Sequence, residues 1–221
     1  MRAKDLISDV VPAVQTTDSG AKALNWMEIF RISHLPIVDD DEFLGLISDN
    51  DIYDYNMTDE PIGSHKLSLF RPFIMHDKHI YDVIDLVAKQ KLSIVPVLNS
   101  KMKYLGVITL HDLVQHFSHF TAAQEPGAVM VLEINHIDYS LAQIAGIVES
   151  NGAKILSSYI HTSEETTLLN VTIKLNTLDI SAIRQTFERY DYTVKTSYSE
   201  EDKMKHLIED RYEEFMNYLN I

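Results

Sequence analysis

Two short spacings in this chain bring together the residue types for sugar-phosphate chemistry, Ser48-x-x-Asp51 and Thr109-x-x-Asp112. A hydroxyl and a carboxylate three residues apart, where a strand turns into a helix, form a capping box that satisfies free backbone amides. The same pair does more where the helix start faces a cleft. Its amides suit a phosphate, and a carboxylate beside them accepts both hydroxyls of a ribose. The two roles are compatible. Each pair closes a heptapeptide, Gly45-Leu46-Ile47-Ser48-Asp49-Asn50-Asp51 and Gly106-Val107-Ile108-Thr109-Leu110-His111-Asp112.

The elements that must hold these pairs also occur twice. A proline-broken apolar segment precedes each heptapeptide, Leu35-Pro36-Ile37-Val38 and Val95-Pro96-Val97-Leu98, with the prolines 60 residues apart and Gly45 and Gly106 61 apart. Repeat one, about 1–57, opens with an extended segment, Val10 to Val14. Thr17-Asp18-Ser19 follows as a cap, and then a helix with Ala23, Leu24, Met27 and Phe30 on one face. Next come the proline strand, an acidic turn from Asp39 to Glu42, and a strand from Phe43 to Ile47. The expected order is strand, helix, strand, strand, helix. Repeat two, about 66–120, runs the same way from Pro72 to Met75, through a helix with Ile80, Val83, Ile84, Val87 and Ala88, to the strand ending at Thr109. Neither copy closes a core alone, so the two are expected to pack as half-domains over 1–120. The connector from Asp54 to Phe70, rich in turn residues, reads as a linker.

A break at 121–127, Thr121 to Gly127, marks a domain boundary. Over 128–199 the pattern reads as strand (Val129 to Ile134), helix (Ser140 to Ser150), strand (Lys154 to His161), strand (Thr167 to Leu175), helix (Ile180 to Tyr190) and strand (Thr193 to Tyr198). That order, β-α-β-β-α-β, is a ferredoxin-like plait, with Gly152 placed to end its first helix. The tail, 200–221, reads as an amphipathic helix with Met204, Leu207, Ile208, Tyr212, Phe215, Met216 and Leu219 on one broad face. It either covers its own plait or crosses to a second subunit.

Composition narrows the function. With no cysteine, thiolate metal sites and cysteine nucleophiles are excluded. A formal charge of −14 with scattered cations argues against nucleic acid, while a small anion remains accessible to local cations and helix amides. No apolar run approaches the ~20 residues needed to cross a bilayer, and the start lacks a secretion signal, so a cytoplasmic protein away from membranes is expected. The chain has no Gly-x-Ser-x-Gly elbow and no phosphate-binding loop, and no two carboxylates pair as acid and base. An enzyme is not expected. His111, His116 and His119, and the pair His76 and His79, raise a metal hypothesis, but no HExxH pattern completes it and surface histidines are the reading adopted.

The duplicated proline strand, hairpin, and glycine–apolar–apolar–Ser/Thr–x–x–Asp motif resembles a tandem pair of CBS domains, the adenine-nucleotide regulatory modules also called Bateman modules. The resemblance covers roughly the first half of the chain and implies α/β repeats. By that resemblance Asp51 and Asp112 would hold a ribose, and Ser48 and Thr109 the sugar-phosphate region. His34 and Leu35 in one copy, and Ile94 and Val95 in the other, would flank the adenine. Arg31 and Lys91, five residues before each proline, stand where some members carry a phosphate-binding cation. The pattern departs at one place. Many members carry Arg just before the motif Asp, where this chain has Asn50 and His111, and His111 is a weaker, pH-dependent substitute.

The plait resembles an ACT domain by topology, with Asp138-Tyr139-Ser140-Leu141 where that family usually has a glycine; Ser140 caps the helix but replaces the close backbone approach that an amino-acid ligand needs. Two CBS repeats followed by such a domain are similar to the acetoin-utilisation B-type proteins of bacteria. The expectation is therefore an α/β and α+β, non-catalytic regulatory protein without a cofactor. It would sense AMP, ADP, ATP or S-adenosylmethionine between the repeats, form a homodimer, and act on an unidentified protein target. The alternatives are a ligand-free assembly protein and an amino-acid sensor working through the ACT-like domain.

Overall fold

The computed structural model describes residues 1–64, 70–162 and 167–198. It divides into two compact units, Met1–His116 and Phe117–Ile221. The tail helix expected over 200–221 lies outside the described residues.

In the first unit, α1 (Gly20–Phe30) starts at Ser19, whose hydroxyl accepts from the Lys22 amide at 3.3 Å. β1 (His34–Asp39) and β2 (Glu42–Ser48) form an antiparallel hairpin, and α2 (Asp49–Asp54) follows directly. Repeat two gives β3 (Ile74–Met75), α3 (Ile80–Gln90), β4 (Ile94–Leu98), β5 (Tyr104–Thr109) and α4 (Leu110–Phe120), with sheet order β3-β4-β5. The hairpin bulges are equivalent, at Ile37/Val38 and Val97/Leu98. The expected first strand of repeat one, Val10 to Val14, is reduced to one parallel bridge between Val14 and Ile37. The reason is local: the Gln15 amide donates to Asp18 Oδ2 and the Thr16 amide to Asp39 Oδ1, so the chain turns where a ladder would continue.

The connector is more than a linker. The segment leading repeat one bonds repeat two: Ala3 N donates to Lys78 O (2.8 Å), Lys4 N to His76 O (3.0 Å) and Ser8 N to Val107 O (2.8 Å). The segment leading repeat two bonds repeat one in the matching way, Ile62 N to Asp18 O and Gly63 N to Thr16 O, both 2.8 Å. Each leader carries a short 3-10 turn, Ala3–Leu6 and Ile62–Ser64, and inserts Ala3, Leu6 and Ile62 into the core. That core is one cluster drawn from both repeats, including Leu35, Ile37, Phe43, Ile47, Ile94, Val95 and Val107. The repeats are thus half-domains that exchange their leading segments.

The second unit contains β6 (Val129–Asn135), α5 (Leu141–Ser150), β7 (Ile155–Thr162), β8 (Leu168–Leu175), α6 (Ser181–Arg189) and β9 (Thr193–Tyr198). Its sheet has the order β7-β8-β6-β9 and every pairing is antiparallel, the ferredoxin-like arrangement expected from the sequence. Ser140 Oγ caps α5 by accepting from Gln143 N at 3.3 Å, and Gly152 follows that helix with φ 76°. Met130, Leu132, Val171, Ile173, Ile144, Val148, Ile183 and Phe187 form its own core.

Candidate functional site

Both hydroxyl–carboxylate pairs sit at helix starts. In repeat one Ser48 Oγ donates to Asp51 Oδ2 at 2.6 Å, the Ser48 amide donates to the same oxygen at 2.8 Å, and the Asp51 amide donates back to Ser48 Oγ at 3.1 Å. In repeat two Thr109 Oγ1 donates to Asp112 Oδ2 at 2.6 Å, and the Asp112 amide to Thr109 Oγ1 at 3.0 Å. Oδ1 takes no part in either cap. Both carboxylates remain partly exposed, whereas Thr109 is 8% exposed. The six residues of α2 make under two turns, so its aligned dipoles are few; α4, with eleven, presents the fuller positive end.

The helix starts are fixed by a second repeated residue that the motif reading passed over. Ser33 O accepts from Asp49 N at 3.3 Å, and Ser93 O accepts from Leu110 N at 3.1 Å. Ser93 also crosses between the repeats: its hydroxyl accepts from the Ser33 amide at 3.1 Å and lies 2.9 Å from His34 Nδ1. With the single hydroxyl proton donated to Nδ1, this geometry is fully satisfied by a neutral imidazole. Burial holds the His34 pKa below its ordinary value, although Asp49 and Asp51 pull it upward. His34, Asp49, Asp51 and Ser93 therefore form one polar cluster built from both repeats. The sequence carries the trace that would have found it, since Arg31-Ile32-Ser33 and Lys91-Leu92-Ser93 align at the 60-residue spacing.

The other expected site residues take different places. Leu35, Ile94 and Val95 are each 0% exposed, so their side chains belong to the core and only their backbone is left to face a ligand. Arg31 and Lys91 end α1 and α3 in the left-handed conformation, both with φ 52°. A cation there complements the negative helix end without any ligand. Arg31 also lines an open depression of about 640 Å³ with Asp49 and Tyr53, all within repeat one. Asn50 and His111 are exposed. Among the described residues no group of three or more His, Asp or Glu side chains is placed to hold a metal ion, and no helix is long and apolar enough to cross a membrane.

Comparisons with known proteins match about half of this chain. The inosine-5'-monophosphate dehydrogenase of Methanocaldococcus jannaschii is 24% identical over 123 residues, which are 54% of this chain and 24% of that protein. The chain thus spans about a quarter of that curated relative. Among solved structures, a CBS domain pair/ACT domain protein from Thermotoga maritima is 20% identical with a TM-score of 0.47, over 53% of this chain and 96% of the other. CBSX2 in complex with AMP, a CBS-pair protein known from Arabidopsis thaliana, is 19% identical with a TM-score of 0.45, over 52% and 95%. The CBS domain family model matches twice, at residues 3–58 and 54–119, and with more than half of its length so covered this chain belongs to the CBS domain family.

Proposed function

We propose that the chain is a non-catalytic regulatory protein whose CBS pair senses an adenosine-containing ligand, AMP, ADP, ATP or S-adenosylmethionine, where the two repeats meet. The observation that carries the reading is the polar cluster of His34, Asp49, Asp51 and Ser93: a carboxylate with one oxygen outside its cap, on a helix start, beside a bond that joins the repeats. A ribose accepted by Asp51 or Asp112 would bear on that junction and so on the packing of the half-domains. Such a ligand regulates only through unequal affinity for two arrangements. In this proposal the fuller helix end of α4 favours a phosphate at Thr109 and Asp112. The plait is taken as an ACT-like domain with an assembling role, since Ser140 caps α5 where a ligand carboxylate would need glycine. A homodimer and a protein target complete the reading.

The rival is an assembly protein without a ligand, favoured by the engagement of both hydroxyl–carboxylate pairs in caps. Thermal-shift titration of nucleotide-stripped protein against the four adenosyl compounds separates the two, with Asp51→Ala and Asp112→Ala measured beside it. Either variant loses about 1 kcal/mol of capping energy, so the readout is the ligand-induced shift and not the starting melting temperature. Saturable stabilisation abolished by one variant supports sensing. An unchanged melting temperature at millimolar ligand refutes it.

A further inference from the structure

Opposite the motif end of the first unit, the two hairpin tips meet. Glu42 and Lys103 form an antiparallel bridge, Asp41 O accepts from Tyr104 N at 2.9 Å, and Lys103 Nζ lies 3.4 Å from Asp41 Oδ2. A cavity of about 640 Å³ opens between the tips. Phe43 and Leu98, each 2% exposed, line it together with half-buried Phe73 and exposed Met102, giving it an apolar base. Its charges are segregated. Repeat one contributes only acids, Asp40, Asp41 and Glu42, while Arg71, Lys101 and Lys103 line the other side. Lys103 is paired with Asp41, and Arg71 donates to Phe43 O at 2.6 Å. The side chains of Lys101, Asp40 and Glu42 make no ion pair among the described residues.

We propose that this cavity is a second ligand site, for an α-amino acid with an apolar or aromatic side chain. Residues paired across an antiparallel bridge have Cα atoms about 5 Å apart, so the acidic and basic walls stand one strand spacing from each other. A ligand whose opposite charges are only a few ångströms apart matches that spacing. Its carboxylate meets Lys101 and Arg71, its ammonium meets Asp40 and Glu42, and its side chain covers Phe43, Phe73 and Met102. A purely anionic ligand would face the acidic wall unpaired, and a purely cationic one the basic wall. The site is separate from the proposed nucleotide site: β1 runs from His34 at the motif end to Asp39 at the tip, about 3.3 Å per residue. It also bridges the repeats, so its occupant would favour the packing in which the tips are joined.

The test is ligand-observed saturation-transfer NMR and thermal shift on the full chain with L-phenylalanine as the probe. N-acetyl-L-phenylalanine and L-phenylalaninamide, each lacking one charge, serve as comparators. The variants are Lys101→Ala, on an exposed turn, and Asp40→Asn, which retains the left-handed backbone at φ 45° because asparagine tolerates it. The expected result is saturable binding of L-phenylalanine, weakened about tenfold by either variant and by loss of either ligand charge, with any adenosyl-ligand shift unchanged. Absence of saturable binding up to about 10 mM overturns the proposal, on the scale where affinity has fallen below a few kcal/mol. So does binding that both variants leave intact. Because the probe is not a nucleotide, failure of nucleotide sensing leaves this result standing.

Discussion

At the scale of single residues, His34 couples chemistry to packing. Its ring is half-buried, bonded across the repeats to Ser93, and held below its ordinary pKa chiefly by burial. A histidine with a depressed folded pKa binds fewer protons folded than unfolded between the two values. Its contribution is therefore fully present above the unfolded value near 6.5 and is lost as pH falls through the folded one. Urea-unfolding midpoints measured from about pH 8 down to about pH 5 should drop more steeply for the wild type than for His34→Gln, which has no proton to gain. Parallel pH profiles would show that His34 does not couple protonation to folding. At this scale the capping role of Ser48, Asp51, Thr109 and Asp112 is legible in the sequence, because side chain and backbone bond within three residues of each other. The sequence was read poorly for Ser93, whose partners Ser33 and His34 lie about sixty residues away and become neighbours only through packing.

Among the elements, the helices and hairpins were legible because their apolar residues follow the periods of helix and strand. The leading segments were not. Their 3-10 turns and isolated bridges have no period, and their partners belong to the other repeat, so the stretch from Asp54 to Phe70 read as a linker. One residue of the motif records this exchange. Gly106, at φ 147°, lies against the repeat-one leader so closely that a Cβ would stand 2.5 Å from Ile7 Cγ2. The glycine of the second heptapeptide is thus explained by close packing and a backbone angle that side chains resist, rather than by a ligand. Gly106→Ala should destabilise the protein by about 1–3 kcal/mol, as overpacking of a filled site does, measured by chemical denaturation. Ile7→Ala in the same chain should recover only the steric part, since the strained angle persists. A neutral Gly106→Ala would contradict the close approach.

For the whole molecule, two separate apolar clusters underlie the division into units. The order β-α-β-β-α-β was sufficient for the plait because four strands paired in one antiparallel sheet, with a helix in each of two crossovers, leave few topologies. Sequence could not say what the pair binds, since capping and ribose recognition use the same hydroxyl and carboxylate. The measurement that separates them most directly is competitive binding of AMP and its 2',3'-dideoxy analogue to wild-type protein, Asp51→Asn and Asp112→Asn. If a motif carboxylate holds the ribose, removing the hydroxyls weakens binding to the wild type by about 1.5–3 kcal/mol, the worth of hydrogen bonds to a charged group, and has little further effect in the variant of the occupied site. Equal affinity of AMP and the dideoxy analogue for the wild type would contradict the account and leave Asp51 and Asp112 as helix caps alone.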